Sequence, residues 1–170
     1  MVGPMPILYT SGGGVVPSPY FLERMKQMAE FTTSTTQTVA AGQNVLFTET
    51  PVCGNCNIMH RTGSGIVSLR GSNNCCNPAR YRVSFGANIA VATGGTVGPI
   101  SLAIAVNGEP LYSTTATVTP AAIGDFFNVS RSIVVTVPCG CCQTVAIENV
   151  STPATAIDVA NANFTIDRIC

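Results

Sequence analysis

The stretch ARYRVSFGANIAV, residues 79–91, decides the class of this chain. Over residues 80–85 it alternates cleanly, with Tyr81, Val83 and Phe85 on one face and Arg80, Arg82 and Ser84 on the other. A period of two with aromatic and β-branched residues on one side marks a strand with one buried face. Outward from it, NVLFTE (44–49), GIVSLR (65–70), GPISLAIAVNGEPLYSTTATVT (98–119), FNVSRSIVVTV (127–137), QTVAIENV (143–150) and NANFTIDRI (161–169) fit the same template. Gly, Pro and Asn clusters divide them. Asn107-Gly108, between two strand-like runs, is the strongest short-range hairpin signal a sequence offers. So many short strands at this spacing predict an all-β sandwich or jelly roll. No internal repeat is evident.

The amino-terminal part reads differently. Residues 1–17 hold three prolines and the triple glycine Gly12-Gly13-Gly14, which predicts an extended arm. In SPYFLERMKQMAEF (18–31), Ser18 can cap a helix, Pro19 suits its first turn, and Phe21, Leu22, Met25, Met28 and Ala29 share a face. That predicts a short helix over 18–31, with Tyr20, Phe21, Leu22, Met25 and Met28 as its docking surface. Residues 32–42, beginning TTSTTQT, read as a polar linker, and residues 43–170 as the head domain.

The composition narrows the function. Of 170 residues only 9% are charged, against roughly 25% in an average soluble domain. Thr, Ser, Asn and Gly take the place of the missing charges, a surface that points to extensive subunit or particle contacts. A formal net charge of zero and a single lysine, Lys26, argue against nucleic acid. No apolar run approaches the ~20 residues of a membrane span, so no membrane insertion is expected. MVGPMPILYTSGGG lacks a charged leader with an apolar core, so the expectation is a chain made in a cytoplasm.

Eight cysteines are unusual in such a compartment. They fall in four groups: Cys53 and Cys56; Cys75 and Cys76; Cys139, Cys141 and Cys142; and Cys170. PVCGNCNIMH (51–60) offers Cys53, Cys56 and His60 as an alternative zinc set, with Cys75 or Cys76 as a fourth ligand, but the second half lacks a paired knuckle. A redox C-x-x-C needs a helix amino-terminus, and Pro51 with the strand-like NIMH argues for a loop. A structural role, as disulfides or buried thiols, is the preferred reading. Adjacent cysteines on a strand point to opposite faces, so Cys75-Cys76 and Cys141-Cys142 reach different partners more readily than each other. His60 is the only imidazole, the carboxylates are scattered, and neither TGSG nor TGGTVG has a phosphate-loop context. No enzyme and no cofactor are therefore expected. The sequons at Asn128, Asn149 and Asn163 read as ordinary strand residues.

ARYRVSFGANIAVATGGTVGPISLAIAVNGEPL, FFNVSRSIVVTVPCGCCQTVAIENVS and ANFTIDRI together resemble the tumour-necrosis-factor and complement-globular-head jelly roll, in its bacterial and phage branch. QTVAAGQNVLFTETPV and HRTGSGIVSLRG resemble the first strands of that fold. The resemblance covers residues 37–170, about four fifths of the chain. It implies a jelly roll of about ten strands that assembles as a homotrimer. The implied trimer contacts are Tyr81, Val83 and Phe85, with Phe126, Val145 and Ile147 as further candidates. In such a fold the loops carrying the first three cysteine groups gather near one end and could cross-link, each bond contributing about 2–4 kcal/mol. Cys170 could reach a neighbouring subunit. Relatives sit on phage capsids or spore surfaces. Having no Gly-X-Y tract, this chain fits direct docking better than a long stalk. The expectation is a structural virion protein on a phage head surface, a decoration or head-fibre protein held by its arm and helix. The alternative is a spore- or cell-surface module that recognises a glycan or receptor.

Overall fold

The computed structural model describes residues 10–11, 14–15, 27–73 and 77–169. Two short strands, β1 (Thr10–Ser11) and β2 (Gly14–Val15), pair with each other. The others are β3 (Met28–Thr33), β4 (Gln37–Val39), β5 (Glu49–Val52), β6 (Ile58–His60), β7 (Ile66–Arg70), β8 (Ala79–Val91), β9 (Ile100–Val106), β10 (Glu109–Pro110), β11 (Ala116–Val118), β12 (Phe127–Val137), β13 (Cys142–Asn149) and β14 (Ile157–Arg168). They form two six-stranded antiparallel sheets. One runs β12-β8-β14-β3-β5, with β4 also on β14; the other runs β10-β9-β13-β7-β6, with β11 also on β9. Successive strands switch sheets repeatedly, so the two layers are woven into a jelly-roll sandwich.

Strand β8 follows its sequence alternation: Tyr81, Val83 and Phe85 are buried while Arg80 and Arg82 are exposed. Asn107 and Gly108 both take positive φ, 54° and 83°, and turn β9 into β10 as the dipeptide predicts. Gly86 admits a bulge in β14, because a Cβ there would stand 2.7 Å from the Asn163 side-chain oxygen. The core lies between the sheets, where Phe31, Phe47, Leu69, Ile104, Ile147 and Phe164 are fully or almost fully buried. Phe47 and Phe164 stack with centroids 5.4 Å apart.

The amino-terminal expectations need correction where they reach the described residues. Of the expected helix, Met28, Ala29, Glu30 and Phe31 lie in β3, and residues 18–26 lie outside the described residues. The expected linker supplies the end of β3 and all of β4. Alternation settles both: Ala29, Phe31 and Thr33 turn inward while β3 pairs with β14 on one side and β5 on the other, and β-branched threonines suit a pleated strand. The head therefore begins before residue 43. Conversely, NVLFTE is mostly irregular. Gln37 clamps its backbone, donating from Nε2 to Leu46 O at 2.8 Å and accepting from Leu46 N at 2.9 Å. Val45 and Phe47 are nevertheless buried.

Register fixes two ends. Met28, Arg70, Ala79, Val137, Cys142 and Arg168 lie toward one end, and Val39, Val91, Ile100, Phe127, Asn149 and Ile157 toward the other. The chain enters the head at Gln27 and leaves it at Ile169 on the first of these ends, where Arg168 N donates to Gln27 O at 3.0 Å.

Candidate functional site: a cysteine-bearing end and an aromatic edge

Three loops meet where the chain enters and leaves the head. Residues 53–57 join β5 to β6, residues 71–78 join β7 to β8, and residues 138–141 join β12 to β13. The first is shaped by Asn55, whose Oδ1 accepts from Asn57 N at 2.9 Å and whose carbonyl accepts from Ile58 N at 3.0 Å. Gly54 lies so close to Ala29 and Ile58 that a Cβ would be 3.0 Å from each. The third begins at Pro138, which cannot donate to a ladder, and turns at Gly140 with φ 69°. The loops are tied together. Arg70 N donates to Asn57 O at 2.9 Å, Gly71 N to Cys141 O at 2.8 Å, and Gly140 N to Ser72 O at 3.1 Å.

Tyr81 reaches this junction from the core. Its ring is buried, and its hydroxyl donates to Arg70 O at 2.5 Å and stands 3.5 Å from Asn57 O. The Arg168 guanidinium lies 5.9 Å from the ring centroid. Burial holds the phenol above its ordinary range; the nearby Cys142 and Cys56 add to that, and Arg168 opposes it.

Cys53, Cys56, Cys141 and Cys142 are exposed thiols outside any disulfide, and Cys139 is half-buried. Cys75, Cys76 and Cys170 lie outside the described residues. The zinc set of Cys53, Cys56 and His60 is not assembled. His60 faces Phe31 with centroids 4.4 Å apart, and its Nε2 stands 2.9 Å from Ser64 O, which can only accept. Among the described residues, no three His, Cys, Asp or Glu side chains stand close enough to hold a metal ion.

The trimer-contact expectation also needs correction. Tyr81, Val83, Phe85, Val145 and Ile147 are buried inside one chain, so they offer nothing to a neighbour. Their alternation reports the space between the sheets. Phe126 alone among those candidates is exposed, at 46%. Ile123 and Phe127 are exposed as well, while the exposed Val134 stands on the other face of β12 from Phe127. Strand β12 is an edge strand paired with β8. Its neighbouring face is polar: Ser84 and Ser132 hydroxyls are 2.8 Å apart, and Asn128 Nδ2 donates to Asn88 Oδ1 at 3.1 Å. The sequence signal for Phe127 and Val134 is faint, because FFN and IVV runs carry no phase. Of the proposed docking residues, Tyr20, Phe21, Leu22 and Met25 lie outside the described residues, and Met28 opens β3 with its side chain partly exposed.

The opposite end carries an open groove of about 350 Å³, lined by residues 93–96 and 154–156. Threonine hydroxyls and backbone groups dominate it, and no charge enters. Beneath this end Asn149 is fully buried. Its Nδ2 donates to Val39 O and Thr155 O, both at 2.9 Å, and its Oδ1 accepts from Ser151 N and Oγ. Asn128, Asn149 and Asn163 all lie in strands, as read from the sequence.

No family model and no curated protein matches the chain. Solved structures do. The fold is that of the complement and TNF globular heads. The globular domain of zebrafish complement 1qA protein superposes with a TM-score of 0.56 at 16% identity, over 85% of this chain and 98% of that one. Eiger TNF from S. frugiperda gives 0.60 at 10% identity, over 84% and 92%. Murine APRIL gives 0.56 at 7% identity, over 82% and 97%.

Proposed function

We propose that the chain is a non-catalytic structural head that assembles as a homotrimer and docks on a phage capsid through its amino-terminal arm. The exposed Ile123, Phe126 and Phe127 at the start of the edge strand β12 are the observation that carries assembly. An edge strand bearing aromatics is a liability for a free monomer and an asset for a contact between copies. Entry and exit of the chain at one end support docking at that end, with the groove end facing outward. The sparse charge supports a protein that spends its life among other subunits.

Light scattering on the purified protein tests assembly: three chains per particle are expected, and Phe126→Ser with Phe127→Ser should yield monomers. Co-sedimentation with capsids tests docking, which deletion of residues 1–26 should abolish. A wild-type monomer at micromolar concentration, or undiminished capsid binding without the arm, would refute the reading. The neutral, hydroxyl-lined groove favours a second reading, in which the head recognises a glycan on a spore or cell surface. Glycan-array binding lost on Thr93→Trp would favour it.

A further inference from the structure

We propose that the end where the chain enters and leaves the head is an arginine-rich contact surface for the acidic face of a partner protein. Register gathers four arginines from three strands at this end. Arg70 closes β7 opposite Cys142, Arg80 pairs with Thr136 and Arg82 with Val134 on β12, and Arg168 ends β14 opposite Tyr81. They are half of the eight basic residues in the chain. Arg70, Arg80 and Arg82 are exposed on the outward faces of the two sheets. Arg168 reaches the Tyr81 ring between them.

The carboxylates do not follow them. Segments 53–57, 71–78 and 138–141, which form the loops of this end, contain no Asp or Glu. Asp167 faces Arg82 in the register, and Glu30 stands two residues farther in, opposite Thr165. Toward the other end the balance is reversed. Asp125 precedes β12, Asp158 lies at the start of β14 and Glu148 near the close of β13, against Arg61 in the turn after β6. With so few charges and a formal net charge of zero, this separation gives the head one cationic end.

The composition of this end fits protein rather than nucleic acid or lipid. Among the described residues its cations are all arginine, whose planar fork pairs two-to-two with a carboxylate. Met28 and Ile169 are partly exposed beside them, Met28 across from Asp167 and Ile169 donating from its N to Arg80 O at 2.8 Å. Arginine and methionine with few lysines and carboxylates is the composition of protein interfaces, whereas a nucleic-acid face calls for a basic domain. The backbone is already fixed, since Arg70 N donates to Asn57 O at 2.9 Å and its carbonyl accepts from the Tyr81 hydroxyl. Less order is then lost on contact. The inference rests on docking by this end, as proposed above, with the particle surface as the acidic partner.

The test measures binding of the full chain to immobilised poly-L-glutamate, with single-stranded DNA and phosphatidylserine vesicles as comparison probes. The wild type should bind poly-L-glutamate and be released by sodium chloride. R70Q/R80Q should weaken binding about tenfold, whereas R61Q/R131Q, which removes the same charge elsewhere, should stay within about twofold of the wild type. R70K/R80K should keep most of the binding and R82Q alone should weaken it, with wild-type melting in each. No binding, equal loss in the two glutamine double variants, or tighter binding to the DNA or the vesicles would overturn the proposal. Salt-sensitive growth of the particle in light scattering would also overturn it, by seating the acidic end of another copy here. Since this assay contains no capsid, a failed surface and a failed docking on particles are told apart.

Discussion

Tyr81 couples the core to the cysteine-bearing end, because its ring is buried between the sheets while its hydroxyl bonds to Arg70 O. Tyr81→Phe keeps the ring and leaves that carbonyl without its partner, which should cost about 1–2 kcal/mol and lower the denaturant midpoint. The substitution also has a pH signature. The folded phenol keeps its proton above pH 10.0, where an unfolded tyrosine releases it. Its contribution is therefore complete below that pH and lost as pH rises through the folded value, since the unfolded chain then binds fewer protons. Urea midpoints measured between neutral and strongly alkaline pH should fall more steeply for the wild type than for Tyr81→Phe. Gly71 is a second decisive residue. Gly71→Ala would drive a methyl into the Pro138 carbonyl, and expression yield and melting should drop sharply, whereas Gly98→Ala, facing open space, should behave like wild type. Neither role was legible locally: the Tyr81 partner is 11 residues away in sequence, and nothing in GSN marks the chain that crosses above Gly71.

At the scale of elements, strong alternation carried the long strands. The run over residues 80–85 gave β8 its buried face, and NANFTIDRI its place in β14. Short elements failed for a physical reason. Residues 28–31 satisfy a helical stripe and a strand alternation alike, and pairing with β14 decides between them. Thr32 and Thr33 look like a linker until β14 supplies the ladder. Asn149 joins three such segments, and its buried side chain satisfies the carbonyls of Val39 and Thr155. Asn149→Ala should cost about 3 kcal/mol or more, because several buried groups lose partners together. Asn128→Ala on the exposed face should change stability by less than about 0.5 kcal/mol. Thermal or chemical unfolding of the two variants checks the contrast.

For the whole molecule, the proposed assembly would cover the short apolar strip at the start of β12 that holds the exposed Ile123, Phe126 and Phe127. If copies bury that strip, association favours the folded chain by mass action, and the melting midpoint should rise with protein concentration. The Phe126→Ser, Phe127→Ser variant should melt at a concentration-independent midpoint below that of the wild type. Scanning calorimetry over a hundredfold range checks this, and a flat wild-type response would place the contact surface elsewhere.

The sequence by itself determined the all-β class, the inward phase of β8, the Asn107-Gly108 hairpin and the presence of thiols on three loops. Each is a local property, written in the period-two pattern, in turn chemistry or in residue identity. Tertiary structure alone decided which buried face meets which, and so removed Tyr81, Val83, Phe85, Val145 and Ile147 from any contact between copies. It also turned residues 28–31 into a strand and set Cys141 against Gly71. Those outcomes depend on strand partners far away in sequence, and the pattern of a buried face is the same whether the apolar surface opposite belongs to its own chain or to another.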